Sequence, residues 1–133
     1  MLSAVNDGTS VRATIEEIGV QAAAQRYVQH MENRYEWDDL IDAFWSGDDE
    51  TGQKLPSDLL WRMLLAAIHE CPDDDEMLWR LGDGPIDNNS VDPEIREALF
   101  QARDRDPKVM RLFEAMRRQL PTKSGITEGS WFT

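Results

Sequence analysis

The stretch PSDLLWRMLLAAIHE, residues 56–70, is the most apolar segment of this chain. Its apolar side chains recur three and four residues apart, which is the spacing of one buried helix face. Proline followed by serine and aspartate at 56–58 is typical of a helix start, and Pro72 is a stop signal. The stretch therefore predicts a central helix over about 57–70. Its expected core residues are Leu59, Leu60, Met63, Leu64, Ala67 and Ile68.

Helical spacing continues on both sides of this segment, and strand-like alternation is not evident in the sequence. A chain of 133 residues has the length of one ordinary domain. We expect a single compact all-α bundle of five to seven helices, with stacked helical hairpins as one possible arrangement. The bundle should span 10–120, between a flexible leader at 1–9 and a tail at 121–133. The other helices are expected at about 10–29 with a break at Gly19, 36–45, 76–81, 92–103 and 107–120. We expect the helix at 76–81 to end at Gly82. A long irregular connection should follow it.

A second amphipathic pattern spans residues 37–45. Its apolar members lie at positions i, i+3, i+4, i+7 and i+8, which predicts that all of them are buried on one helix face. Three aspartates, at 38, 39 and 42, fall on the other side. The five expected core residues of this helix are Trp37, Leu40, Ile41, Phe44 and Trp45.

The formal net charge of −12 is concentrated in residues 31–87. That stretch contains sixteen acidic and four basic side chains, whereas the rest of the chain has ten of each. Nucleic acids and anionic membranes are bound through Lys and Arg, so neither is expected as a direct ligand. A concentrated negative charge instead attracts basic partners over long range.

Catalytic and metal-binding patterns were sought in the sequence as well. His69, Cys71 and the acids at 73–75 form the densest group of potential ligands, but one His and one Cys two residues apart do not match a zinc site. The surrounding carboxylates should raise the pKa of Cys71 and leave its thiol unreactive. No nucleophile elbow, phosphate loop or dinucleotide motif occurs. We expect no catalytic residue, no metal ligand, no cofactor and no enzymatic activity.

The absence of a basic, apolar start and the single cysteine fit a cytoplasmic protein. No apolar stretch reaches the ~18 residues that a membrane span needs. The sequence leaves the oligomeric state open between monomer and dimer.

Acidic runs near aromatic residues are typical of surfaces that bind basic proteins. The sequence therefore favours a small acidic inhibitor or immunity-type protein that blocks a basic, nucleic-acid-handling partner. Two alternatives remain open: a non-catalytic scaffold or interaction module, and a metal-dependent hydrolase in which carboxylates converge on His69. The expected partner contacts are Asp38, Asp39, Asp42, Asp48, Asp49, Glu50, Asp73, Asp74, Asp75, Glu76, Trp61 and Trp131.

Residues 79–113 resemble a family of small helical bacterial domains of uncharacterised function. The resemblance rests on the turn Leu81-Gly82-Asp83-Gly84-Pro85, which matches Leu-Gly-x-Gly-Pro, and on the connection at 102–109 that contains Ala102-Arg103 and Asp106-Pro107, similar to Ala-Arg-x-Asp-Pro. After Pro85 the chain has Ile-Asp-Asn-Asn where the family has a run of leucines. The resemblance implies a helical fold and a bacterial or phage origin, and it implies no catalytic residues.

Overall fold

The computed structural model describes residues 10–33 and 37–119, and the described part is an all-α bundle, as expected. It contains seven helices and, apart from one isolated bridge between Asp48 and Lys54, no strand pairing. The helices are α1 (Val11–Ile18), α2 (Val20–Asn33), α3 (Asp39–Ser46), α4 (Ser57–Glu70), α5 (Asp75–Leu81), α6 (Pro93–Arg103) and α7 (Pro107–Gln119). None of these helices is long and apolar enough to cross a membrane. The expected leader at 1–9 and tail at 121–133 lie outside the described residues.

Helix α4 is central, as its apolar face predicts. It packs most extensively against α2 and also contacts α3, α5, α6 and α7. All six of its expected core residues are buried. The predicted break at Gly19 is also confirmed, because Gly19 ends α1 with a φ of 93° and its N–H donates to the Ile15 carbonyl.

The prediction for residues 36–45 is wrong at its ends. Asp38 is the N-cap of α3 and accepts a hydrogen bond from the Ile41 N–H at 2.9 Å, so the helix begins at Asp39 and Trp37 precedes it. Leu40, Ile41 and Phe44 are buried as expected, but Trp37 and Trp45 are 49 % and 41 % exposed. The helical spacing does not hold for Trp37 because its backbone lies outside the helix.

The connection after α5 is more regular than expected. Gly82 is the C-cap of α5, as expected, but its φ and ψ of −66° and −46° are right-handed helical rather than left-handed. The chain continues through a π-helical turn at Gly82–Ile86 and one helical turn at Asp87–Asn89. Both glycines of the π-turn are in close contact with other side chains: Gly82 lies under Met116, and a Cβ on Gly84 would be 2.6 Å from Cζ3 of Trp45. Larger residues at these two positions would push those side chains away.

Asn89 joins this turn to the end of α3. Its side chain is buried, and its amide Nδ2 donates to the Phe44 carbonyl at 3.0 Å and to the Pro85 carbonyl at 2.8 Å. Its Oδ1 lies where a Cβ on Gly47 would be, and Gly47 ends α3 in the left-handed region with a φ of 78°. The last carbonyls of a helix have no partner within the helix, so Asn89 supplies a donor that α3 lacks.

Replacement of Asn89 by leucine should therefore destabilise the fold. Asn89→Leu removes the donor from two buried carbonyl contacts, which should lower the free energy of unfolding by about 1–3 kcal/mol in urea titrations. The control is Asn88→Ala, because Asn88 is exposed and donates only to the Trp45 carbonyl. It should cost less than Asn89→Leu, and equal stability of Asn89→Leu and the wild type would contradict this role.

Candidate functional site

The acids at 73–76 are bound to neighbouring side chains and backbone. Asp74 caps α5 by accepting from the Met77 N–H. Asp73 and Asp75 pair with Arg111 of α7 at 2.7 and 2.6 Å, and Asp75 also pairs with Arg118. The hydrogen bond from Arg111, followed by that from Arg118, lowers the pKa of Asp75.

The remaining member of this run, Glu76, pairs with Arg80 one turn later, at 3.3 Å. Every expected contact residue at 73–76 thus has a partner within the chain, so this run keeps little unbalanced charge.

The acids at 48–50 hold a loop together. The Asp49 carboxylate accepts from the hydroxyl and N–H of Thr51 and from the Gln53 N–H, and the hydroxyl contact is the main cause of its lowered pKa. Glu50 accepts from the Val11 N–H at 2.7 Å, which places a carboxylate at the positive end of α1. Asp48 is half-buried and takes part in the bridge to Lys54.

The acids at 38–42 differ from one another. Asp38 is occupied, because it caps α3 and also pairs with Arg26. Within the described ranges, Asp39 and Asp42 form no ion pair, and Asp42 accepts only a 3.3 Å hydrogen bond from the indole N–H of Trp37. Among residues 10–33 and 37–119, Asp39 and Asp42 are therefore acids without a balancing cation.

Asp42 lies beside an open cleft of about 410 Å³ that is lined in part by Trp37 and that we call the aromatic cleft. Trp37 and Trp45 meet edge to face with ring centroids 6.3 Å apart, and His30 meets Trp37 in the same way at 5.3 Å. The volume is within the range of roughly 300–1,000 Å³ that small-molecule sites have. The cleft is lined by Tyr27, His30, Met31, Trp37, Trp45 and Arg80.

Three parts of the fold position the aromatic cleft. Helix α2 supplies its floor, where Tyr27 is buried and stacks on Phe44 with ring centroids 5.1 Å apart. Burial raises the pKa of the Tyr27 phenol, which therefore stays neutral at physiological pH. The ring of Trp45 rests on the backbone of Gly84, while Asn89 holds the end of α3 beneath it. Arg80, at the end of α5, closes one side.

His30 has an unusual environment for a polar side chain. Its Nδ1 is buried and has no hydrogen-bond partner among the residues that the structure describes. An atom without exposed surface cannot be reached from the cleft, so His30 contributes the edge or face of its ring to the cleft and not a hydrogen-bonding group. No sequence pattern indicates that His30 lines a cleft.

Asp83 adds a further negative charge beside the aromatic cleft. It lies between Arg80, which lines the cleft, and Gly84, which contacts Trp45. Desolvation, and then repulsion by Asp87, raises the pKa of the Asp83 carboxyl. In the described parts of the chain no cation pairs with Asp83. Its ionised form is therefore destabilised in the free protein.

The other two expected partner contacts have different outcomes. Trp61 is partly buried and packs against the core from α4. Trp131 lies outside the described residues. Trp61 does not line the aromatic cleft.

The expected ligand group at His69 and Cys71 does not form a metal site in the described residues, where no three His, Cys, Asp or Glu side chains are placed to hold a metal. His69 instead contacts Asp106, the cap of α7, at 2.6 Å. Cys71 is buried, and burial raises the pKa of its thiol to about 12, with smaller contributions from Asp74 and Glu32. The carboxylates predicted to raise this pKa thus act in the expected direction but are secondary to burial.

Comparisons with known proteins identify no family model, no curated protein and no solved structure that matches this chain. The resemblance of residues 79–113 to a bacterial family stays a prediction. The function must therefore be argued from the aromatic cleft and its charges.

The pKa of Asp83 makes a testable prediction. A carboxyl whose pKa is higher in the folded than in the unfolded state destabilises the fold at neutral pH, and this cost disappears as the pH falls. Asp83→Asn should therefore raise the free energy of unfolding at pH 7, by less than about 1 kcal/mol because the side chain is only partly buried and water screens its charge.

The gain should vanish near pH 3, below the unfolded pKa of about 3.9, because Asp83 is then neutral in both states. Glu17→Gln on α1 removes one exposed acid and controls for net charge alone. An Asp83→Asn variant that is less stable than the wild type at pH 7 would contradict the assigned environment.

Proposed function

We propose that this chain is an acidic, non-catalytic binding protein of the inhibitor or immunity type. Its partner is a basic protein that handles nucleic acid, such as a nuclease, whose positive surface it covers. The observation that carries the proposal is the aromatic cleft, where two half-exposed tryptophans lie beside acids that have no cation partner in the described residues.

The tryptophans supply the short-range part of the interaction. Trp37 and Trp45 each leave a large apolar area in water, although residues of this type are usually buried. Tryptophan is among the residues that contribute most to binding energy when a partner covers them. Partner binding would bury this surface, which gives the exposed pair a function in an otherwise well-packed fold.

The acids supply the long-range part. A net charge of −12 attracts a basic partner from a distance and speeds association, and charges near the contact select against acidic proteins. Asp39 and Asp42 are best placed for direct contact, because neither is neutralised by an ion pair in the described residues. Asp73 and Asp75 contribute to the field, but direct contact would have to break their pairs with Arg111.

Neutralisation of Asp39 and Asp42 tests this proposal. The immobilised chain is used to capture proteins from a cell lysate at about 0.1 M and about 1 M salt, between which the Debye length falls from about 10 Å to about 3 Å. We expect the captured protein to be basic and to be released at the higher salt concentration. The double variant Asp39→Asn/Asp42→Asn should retain it at least about tenfold more weakly, as expected when two charge contacts are lost.

The matched control is Glu94→Gln/Glu97→Gln, which removes the same charge from the exposed side of α6. Thermal unfolding checks that both double variants fold, because Asp39 also lies in the first turn of α3. Equal weakening by the control would mean that net charge alone acts and that the cleft is not the contact.

Two outcomes decide between this proposal and its alternatives. An inhibitor should reduce the activity of the captured enzyme in proportion to the amount of complex formed. A partner that is retained equally at both salt concentrations, and keeps its activity when bound, would favour the scaffold or interaction module.

A further inference from the structure

We propose that the aromatic cleft binds an arginine side chain of the basic partner, with the guanidinium stacked on the exposed Trp37–Trp45 pair and paired with the Asp42 carboxylate. This inference rests on the proposed function and names the chemical group that the site recognises. Three properties of the cleft support it: its aromatic surface, the carboxylate that is hydrogen-bonded to Trp37, and its local charge.

The aromatic surface suits a planar cation. Trp37 and Trp45 both line the cleft and are about half exposed, and their ring planes lie at 72° to each other. Guanidinium groups stack on tryptophan faces and are attracted by the ring quadrupole. The ammonium of lysine is more strongly hydrated and cannot stack in this way, so the cleft should prefer arginine.

The carboxylate beside Trp37 suits a ligand with donors at its edge. Asp42 accepts from the indole N–H of Trp37 at 3.3 Å and has no cation partner in the described residues. An arginine carries five N–H donors in one plane, so its guanidinium can stack on the tryptophans and donate to this carboxylate at the same time. A purely apolar anchor would leave the charge of Asp42 unpaired and is the poorer occupant.

The local charge favours a cation over an anion. Asp39 and Asp42 on α3 and Asp83 beside Gly84 have no cation partner in the described residues, and repulsion and burial make the charge on Asp83 costly. An entering guanidinium would offset these negative charges. The opposing charge is Arg80, which lines the cleft and whose Nε pairs with Glu76 at 3.3 Å.

Arg80 makes the charge of the ligand testable. Removal of its charge by Arg80→Gln takes a like charge away from an incoming arginine, so a cationic ligand should bind about two- to fivefold more tightly. An anionic ligand would bind more weakly to the same variant. The direction of the change in affinity therefore distinguishes a cationic from an anionic ligand, even when the natural partner is unknown.

The probes are three hexapeptides of equal length, composed of arginine, lysine or citrulline. Citrulline keeps the planar shape of arginine without the charge. Affinity is measured by calorimetric titration, and the indole N–H signals of Trp37 and Trp45 are followed by NMR. We expect the arginine peptide to bind about three- to tenfold more tightly than the lysine peptide, and the citrulline peptide to show no measurable binding.

Variants of the exposed tryptophan locate the effect. Trp37→Leu should reduce affinity for the arginine peptide about three- to tenfold and affinity for the lysine peptide less. Trp37→Phe should retain part of the preference, and it keeps the test valid if the leucine variant does not fold. The proposal is overturned by equal affinity for the arginine and lysine peptides, by Trp37 variants that do not alter the preference, or by weaker arginine binding to Arg80→Gln.

Failure here is distinguishable from failure of the proposed function. If the arginine preference is absent but Asp39→Asn/Asp42→Asn still weakens salt-dependent capture, the chain remains an acidic binding protein and only the arginine site is wrong. If the arginine preference is absent and the double variant captures its partner as strongly as the wild type, both proposals are wrong.

Discussion

The side-chain amide of Asn89 joins two segments that lie 45 residues apart in the chain. It donates to Phe44 near the end of α3 and to Pro85 in the π-turn, while its Oδ1 occupies the space that the absent side chain of Gly47 leaves. Asn88 also donates to the end of α3, at the Trp45 carbonyl, but the bonds from Asn89 fix Phe44 against the π-turn that carries Gly84. The position of the aromatic cleft thus depends on one buried hydrogen-bonding side chain.

The acidic side chains of this protein have two kinds of role. Some carboxylates stabilise the fold: Asp38 and Asp74 cap helices, and Asp75 joins α5 to α7 through Arg111. Others, such as Asp39 and Asp42, lie in the first turn of α3 without a cation partner in the described residues, and Asp42 is hydrogen-bonded to the exposed Trp37. This division explains how a chain with a net charge of −12 can pack a continuous core and still present an unbalanced negative surface.

The helical fold was predictable because α4, α6 and α7 combine a periodic apolar face with a proline near the start. The aromatic cleft was not predictable, because the same periodicity placed Trp37 on a buried face. The correct signal was the Asp38-Asp39 pair, since a capping aspartate at 38 puts Trp37 outside the helix.

The approach of Gly84 to Trp45 could not be predicted either. It joins residues distant in sequence, and no local pattern reports that contact. The same limit applies to His30, whose ring meets Trp37 through the packing of the fold.

The central claim is that the aromatic cleft and its unpaired acids form the docking surface. The most direct measurement is an NMR titration of the isotope-labelled chain with the basic protein that it captures, followed through backbone amide and indole N–H signals. The account predicts that the largest changes fall on Trp37, Trp45, the residues at 39–42 and Asp83. Changes concentrated at 73–76 and on α7, with the two indole signals unmoved, would contradict it.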